Sequence, residues 1–535
     1  MAGTGSSGAR PSGSGWFAAL AGVTSAAVAV GTAEAVAVLT GPRSAPLVAV
    51  GGAVVDLAPA PLKQFATDVF YVYDKIALLI GTAVLLGGFA ALIGLVAIRS
   101  PRLGYAGIGA FAVLGVAAAL TRPGAGPAAA LPTLIGAALA AGLLRLLLTG
   151  PLGSPLVRAP AAGTPPLEAP AVDSPPAGVD REGRRRFLTG VGFALGAAAV
   201  AGFGGRWAAT RRGVTEARAA IRLPAPASPA APVPAGAELG VPQLAPYVTP
   251  NRDFYRIDTA LVVPRVDPDG WRLRIHGRVR NPITLSYADL LARPMVERHI
   301  TLACVSNEVG GDLIGNARWL GVPLGPLLAE AGPLDGADQV VARSVDGWTC
   351  GSPTSVLTDG RDALLAVGMN GEPLPIVHGF PVRVVVPGLY GYVSACKWVV
   401  ELELTSFADF DAYWVPRGWS ARGPVKTQSR IDTPRDGRPL TAGTVTVAGV
   451  AWAQHTGIQR VEVRVDDGDW QPATLAATVS TDTWVQWSWR WTATPGTHTL
   501  QVRATDATGA VQTAQRRPVD PDGATGWHTV EVSVR

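Results

Sequence analysis

Two patterns of apolar positions divide the chain. Up to about residue 205 the apolar residues run unbroken, in the stretches Trp16 to Thr40, Ile76 to Ile98, Gly104 to Leu120 and Leu131 to Leu148. Each approaches the ~20 residues that the hydrocarbon core of a bilayer requires, and the first carries a single charge, Glu34. Pro46 to Pro61 is apolar but short, holds Asp56 and is broken by prolines, so it reads as an interfacial or re-entrant piece. A fifth, weaker run from Phe187 to Gly205 follows the polar, Pro-rich connector 151–179. Beyond residue 270 the period changes. Trp271 to Gly277 alternates as a strand, Ser286 stands as an N-cap before a short helix, and Leu324 to Ala331 reads as a helix stopped by Gly332-Pro333. From about Thr441 only alternating runs remain: 444–452, 461–465, 484–491, 498–504 and 527–534, with a hairpin turn at Asp466-Asp-Gly-Asp.

These patterns predict a multi-domain chain. Residues 1–206 form a membrane region of about five transmembrane helices, and 207–240 an Ala/Pro-rich, semi-extended linker. Residues 241–426 form an α+β domain, and 427–535 an immunoglobulin-like β-sandwich whose expected task is packing or assembly. The Gly/Ser-rich start, up to residue 15, reads as disordered. The order Arg184-Arg-Arg186-Phe187-Leu188 before a weakly hydrophobic segment resembles a twin-arginine export signal, and a plain positive-inside anchor is the other reading. Either way the chain that follows lies outside the cytoplasm. Counting back puts Arg99 and Arg102 in a cytoplasmic loop, as the positive-inside rule asks, and the N-terminus inside.

Composition sharpens the picture. The chain has 535 residues, of which only 16% are charged. Its mean hydropathy is +0.26, which fits a membrane portion joined to a globular one. The formal charge of +5 comes without a basic block interleaved with aromatics, so nucleic acid is not an expected partner. All six histidines follow residue 270, so a bis-histidine haem in the membrane would lack its ligands and no haem is expected. Cys304, Cys350 and Cys396 lack CxxC spacing, which suggests neither a zinc knuckle nor a disulfide framework.

The candidate chemistry starts at His299-Ile-Thr-Leu-Ala-Cys304-Val-Ser-Asn307-Glu-Val-Gly-Gly311, where a β-like run delivers one cysteine into a turn of small and polar residues. Alone, Cys304 reads as a small buried hydrophobe or as a soft metal ligand or nucleophile. Three further stretches bring polar groups: Asn251 to Asp258, His378-Gly-Phe-Pro-Val-Arg383 and Gly391 to Trp398. Cations converging from separate loops suit a phosphate-bearing ligand.

Taken together, Arg256 after Phe-Tyr, Cys304-x-x-Asn307, Met369-Asn-Gly-Glu-Pro-Leu-Pro, His378–Arg383 and Lys397-Trp398 resemble the molybdopterin-binding domain of sulfite oxidases. The following sandwich resembles that family's dimerisation domain, and the likeness covers roughly residues 245–535. It implies a molybdenum-molybdopterin cofactor with Cys304 as the thiolate on the metal. It also implies that His378, Arg383 and Lys397 hold the pterin phosphate and ring, with Arg256 near the metal. Asn251, Asn307, Asp346 and Ser394 become cofactor-side residues, and Tyr413 a pocket residue. Oxygen-atom transfer on a small sulfite- or sulfoxide-like molecule, a separate cytochrome or quinone electron partner and a homodimer through the sandwich are further implications. Glu308 and Val309 stand where sulfite oxidases carry arginines, which puts sulfite itself in doubt as substrate. A retained scaffold acting as a non-catalytic binding module is the alternative.

Overall fold

A computed structural model describes residues 14–41, 44–58, 74–122, 125–149, 181–204 and 213–535. The start of the chain up to residue 13, the connector 151–179 and linker residues 207–212 lie outside the described residues, as does the side chain of Asp56. The chain divides into two compact units, Met1–Arg212 and Gly213–Arg535.

The first unit is helical: α1 (Ser14–Thr40), α2 (Pro46–Leu57), α3 (Asp74–Ala97), α4 (Pro101–Leu120), α5 (Leu131–Thr149) and α6 (Arg181–Ala199). Among the described residues four stretches are long and apolar enough to cross a bilayer, namely Gly15–Thr40, Ile80–Ala97, Pro101–Leu120 and Pro127–Thr149. The fifth expected span differs. Its helix starts earlier, at Arg181, taking Arg184–Arg186 into its first turns, and continues past Ala199 as a wider π-type turn. The charged start leaves it less apolar than the other four. The helices are apolar on the outside: Val84, Val113 and Phe193 are 68%, 69% and 79% exposed. Small residues pack inside, and a Cβ added at Gly22 or Gly94 would lie 2.0 Å from a carbonyl oxygen of the helix it crosses. Thr24, Ser25 and Glu34 are buried. Polar groups inside and large apolar groups outside invert the order of a water-soluble bundle.

The second unit begins with α7 (Val214–Ala220). Ten strands then follow: β1 (Arg272–Gly277), β2 (Ile283–Ser286), β3 (Val296–Ala303), β4 (Ile314–Pro323), β5 (Gln339–Ser344), β6 (Thr349–Pro353), β7 (Leu364–Met369), β8 (Glu372–Pro373), β9 (Arg383–Val385) and β10 (Val399–Thr405). They make two sheets, β2-β1-β10-β5-β6 and β3-β4-β7-β8 with β9 on β7. The capping box at Ser286 and Asp289 forms with both of its hydrogen bonds. The helix Leu324–Ala331 ends at a left-handed Gly332, where glycine carries no Cβ penalty.

The sandwich has β11 (Gln428–Thr433), β12 (Pro439–Leu440), β13 (Gly443–Trp452), β14 (Ile458–Val465), β15 (Gln471–Pro472), β16 (Thr474–Leu475), β17 (Val485–Ala493), β18 (Gly496–Asp506) and β19 (His528–Val534). Its sheets run β11-β13-β17-β16 and β12-β19-β18-β14-β15. The alternation in sequence sends Val461, Val463, Trp487, Leu500, Val502, Val530 and Val532 into one core between them.

Residues 213–240 of the Ala/Pro-rich linker lie along the α+β domain. Ala227 N donates to Met295 O at 2.8 Å and Glu297 N to Ser228 O at 2.8 Å, around a parallel bridge between Ser228 and Val296. Arg218 Nε donates to Leu374 O at 2.7 Å, and Ala237 is fully buried. The physical reason is the edge of β3, whose unpaired N–H and C=O groups are satisfied by an extended, Pro-rich segment that has few hydrogen bonds of its own.

Candidate active site

Cys304 sits one residue past β3, whose last five residues are all buried. The chain then loops to Leu313 and returns as β4. The loop is tied internally: Cys304 N donates to Leu313 O at 2.9 Å, Asn307 N to Cys304 O at 3.1 Å and Leu313 N to Asn307 Oδ1 at 2.8 Å. Ser306 N points at Cys304 Sγ, 3.4 Å away. Burial pushes the Cys304 thiol up, while the bonds from Ser306 and the charge of Lys397 oppose it.

His378 ends a single 3-10 turn, Ile376–His378, and is 3% exposed. Its Nε2 lies 3.0 Å from Asn251 O, and its ring meets Phe254 edge-on at 5.6 Å. Burial, reinforced by the nearby Arg383, pushes it down to about 4, so the ring is neutral at pH 7. Because a carbonyl only accepts, Nε2 carries the proton and Nδ1 is left as an acceptor.

Arg383 opens β9 and is 5% exposed. Its guanidinium lies 5.0 Å over the Trp319 ring, and its hydrogen bonds go to the carbonyls of His378 and Val384. Among the described residues no carboxylate pairs with it, and burial pushes it down to about 10. Lys397 is also buried, but its Nζ meets Asp258 Oδ2 at 2.7 Å. Burial lowers Lys397 to about 8, with Asp258 pulling the other way.

Cys304, Asp346, His378, Arg383 and Lys397 line one cavity of about 140 Å³, together with Tyr255, Asp258, Trp348, Tyr392, Trp398, Trp414 and Trp419. Five of the ten site residues expected from sequence are thus brought together. The other five are not in the lining. Arg256 is drawn to Asp258, its Nε 2.9 Å from the carboxylate that also holds Lys397. The Asn251 side chain is occupied by Glu372 and Asn370, at 2.6 and 2.9 Å, so the residue acts on the site only through the carbonyl under His378. Asn307 shapes the Cys304 loop, as its bond to Leu313 shows. Ser394 is fully buried, and its hydroxyl bonds to the carbonyls of Tyr390 at 2.9 Å and Leu389 at 3.3 Å within its own turn. The Tyr413 ring is covered by Arg417, 3.7 Å from its centroid, and the neighbouring Trp414 takes the place at the wall.

Sequence reasoning missed Asp258 as the counter-charge of Lys397, and it missed the aromatic wall. The signal for the first was present, since Asp258 lies two residues after Arg256. For the wall it was the density of rings in Tyr413-Trp414 to Trp419. Elsewhere His276, Glu401 and Glu403 bring ligand atoms within 4.8 Å of one another, but Arg274 and Arg343 already pair with these carboxylates.

The donor set fits a molybdopterin. A buried guanidinium with no carboxylate partner among the described residues and a second buried cation suit a phosphate, and a thiol beside them suits a soft metal.

Comparison with known proteins agrees. A family model described as "Oxidoreductase molybdopterin binding domain" matches residues 260–414, and one described as "Bacterial Ig domain" matches 428–502. The chain is 33% identical over 272 residues to mitochondrial sulfite oxidase of Homo sapiens, covering 43% of this chain and 49% of that one. With the oxidoreductase YuiH of Bacillus subtilis (strain 168) it shares 34% over 180 residues, covering 33% of this chain and 87% of the relative. With sulfite oxidase of Arabidopsis thaliana it shares 31% over 270 residues, covering 42% and 68%. The chain spans about half the length of its mammalian relatives. A thiol at a strand end, two buried cations beside it and a relative covered over most of its length all point the same way, and the chain belongs to the sulfite oxidase family of molybdopterin-dependent oxidoreductases.

Proposed function

We propose that this chain is a membrane-anchored, extracytoplasmic enzyme that transfers an oxygen atom to or from a small sulfite- or sulfoxide-like substrate. The observation that carries this reading is the shared cavity of the Cys304 thiol and the buried Arg383, which no carboxylate neutralises among the described residues. Molybdenum bound there would supply the two-electron oxygen-transfer chemistry. Cys304 would hold the metal as a thiolate. Arg383 and Lys397 would hold the pterin phosphate, and neutral His378, fixed by the Asn251 carbonyl, would offer Nδ1 as an acceptor toward the pterin. Asp258 would keep Lys397 protonated and in place. The half-exposed Trp348, Trp414 and Trp419 would exclude water and contact the substrate.

The same geometry favours a neutral organic oxide over sulfite. Arg383 and Lys397 would be engaged by the pterin phosphate, and Arg256 is already paired with Asp258. A small oxyanion would therefore be desolvated with little left to neutralise it. The four apolar helices and the Arg184–Arg186 motif support anchoring and export after folding. Electrons would pass to a separate cytochrome or quinone system, and the sandwich would carry any homodimer.

The test is elemental analysis of the detergent-purified full-length chain. It should contain close to one molybdenum and one pterin per chain, and Cys304→Ser should lose turnover with a dye acceptor. A metal-free and pterin-free wild type from molybdenum-replete cells would refute the reading. Turnover of sulfite but of no sulfoxide or N-oxide would refute the substrate preference alone.

A further inference from the structure

The sandwich grips the segment carrying Cys304 from two sides. Upstream, Thr301 of β3 is held at three points. Its N–H donates to Asp482 O at 2.9 Å, its Oγ1 accepts from Trp484 N at 2.8 Å, and its carbonyl accepts from Gln454 Nε2 at 3.3 Å. Trp484 is itself anchored, its Nε1 donating to Tyr247 O at 2.9 Å. Downstream, Arg430 of β11 donates from Nη1 to Gly311 O at 2.6 Å. Its Nε is fixed by Asp432 Oδ1 at 2.6 Å, and the two side chains are only 10% and 7% exposed. Beside it, the ring of His528 at the start of β19 packs on Gly310. That residue has φ +83°, and a Cβ there would lie 2.2 Å from the ring, so only glycine allows the approach. The ring is held in turn, because Ile431 N donates to His528 Nδ1 at 2.9 Å. That bond needs Nδ1 unprotonated, and burial keeps it so by pushing His528 down to about 4.

We infer that Arg430 and His528 are positioning residues for the metal ligand, and that the sandwich fixes where Cys304 points. This rests on the reading of Cys304 as the molybdenum thiolate. The logic is mechanical. Between Ala303 and Ile314 the loop has few bonds of its own, chiefly Cys304 to Leu313, Asn307 to Cys304, Gly311 to Glu308 and Leu313 to Asn307. Two glycines at its far end leave the backbone free to pivot. A buried, charge-assisted bond to Gly311 O and an aromatic stop against Gly310 remove that freedom. Neither group lines the cavity, so they act on the thiolate only through the loop. Arg430 is a buried cation, but Asp432 neutralises it, so an additional anion site is not needed to explain it.

The experiment compares the full-length wild type with Arg430→Gln, Arg430→Lys, His528→Asn and, as a control on the exposed side of β14, Arg460→Gln. Molybdenum per chain, turnover per molybdenum with a dye acceptor, and the Mo(V) electron paramagnetic resonance signal are measured on each. His528→Asn keeps an acceptor for Ile431 N while removing the ring from Gly310, and so guards against a misfolded Arg430 variant. The expected result is retained metal, turnover per molybdenum lowered roughly ten- to a hundredfold in Arg430→Gln, shifted Mo(V) g-values, partial recovery in Arg430→Lys and no change in Arg460→Gln. Wild-type g-values and wild-type turnover per molybdenum in both Arg430→Gln and His528→Asn would overturn the positioning role, even if metal content fell. A wild type that holds no molybdenum would instead remove the underlying reading.

Discussion

Replacing Arg383 by methionine should separate holding the cofactor from holding the fold. In the protein the guanidinium is 5% exposed, donates to two main-chain carbonyls, stacks on Trp319 and has no carboxylate partner among the described residues. Burying such a charge costs several kcal/mol, which the carbonyl bonds and the ring contact of up to about 2 kcal/mol only partly offset. Methionine removes both sides of that balance, so the cofactor-free protein should change in stability by no more than about 1–2 kcal/mol, in either direction. The bound phosphate, by contrast, loses a charge-assisted hydrogen bond of about 1.5–3 kcal/mol, or roughly a 10- to 150-fold weaker grip. The assay has two arms: pterin and molybdenum per chain after extended dialysis, and the urea midpoint of protein from molybdenum-starved cells. Arg383→Met should lose cofactor with its apo midpoint nearly unchanged. Arg383→Lys should fall between, since an ammonium keeps the charge but not the fork. Wild-type cofactor retention, or an apo midpoint that collapses, would show that Arg383 serves the core rather than the ligand.

Three other outcomes follow from the same geometry. His378 and His528 both sit near about 4 instead of 6.5, so the unfolded chain takes up protons that the folded chain refuses. The apo protein should lose stability as pH falls from about 6.5 to about 4, on the order of 3 kcal/mol for His378 alone, and then level off; a urea midpoint that stays flat over that window would contradict the burial argument. Lys397, lowered to about 8, should lose its charge as pH rises through that value, so cofactor loss on dialysis should accelerate above pH 8 in wild type and be pH-independent in Lys397→Met. Ser394→Ala should cost about 1 kcal/mol of stability through its lost bond to Tyr390 O and leave molybdenum content unchanged, and a metal-depleted variant would return Ser394 to the cofactor site.

The local elements were legible because each depends on a few neighbouring residues. The N-cap at Ser286, the helix stop at Gly332 and five of the nine sandwich strands formed where the pattern put them. The resemblance carried Cys304, His378, Arg383 and Lys397 because spaced motifs survive in sequence, and their side chains do share a cavity. Arg256, Ser394 and Tyr413 lie outside the cavity lining. For these the nearest competitor in space, a carboxylate, a turn carbonyl or an arginine, decided the direction of the side chain.

What the sequence alone determined is thus the order of domains, the apolar helices and the chemical inventory of the site, since these follow from periodicity and residue type. Tertiary structure decided the rest. It folded residues 213–240 onto the edge of β3, made Asp258 the partner of Lys397, left Arg383 without a carboxylate among the described residues, and closed the sandwich on the Cys304 loop through Arg430 and His528. The physical reason is distance along the chain. Arg430 and Gly311 are 119 residues apart, as Lys397 and Asp258 are 139 apart, and no local pattern records which distant groups burial will force together.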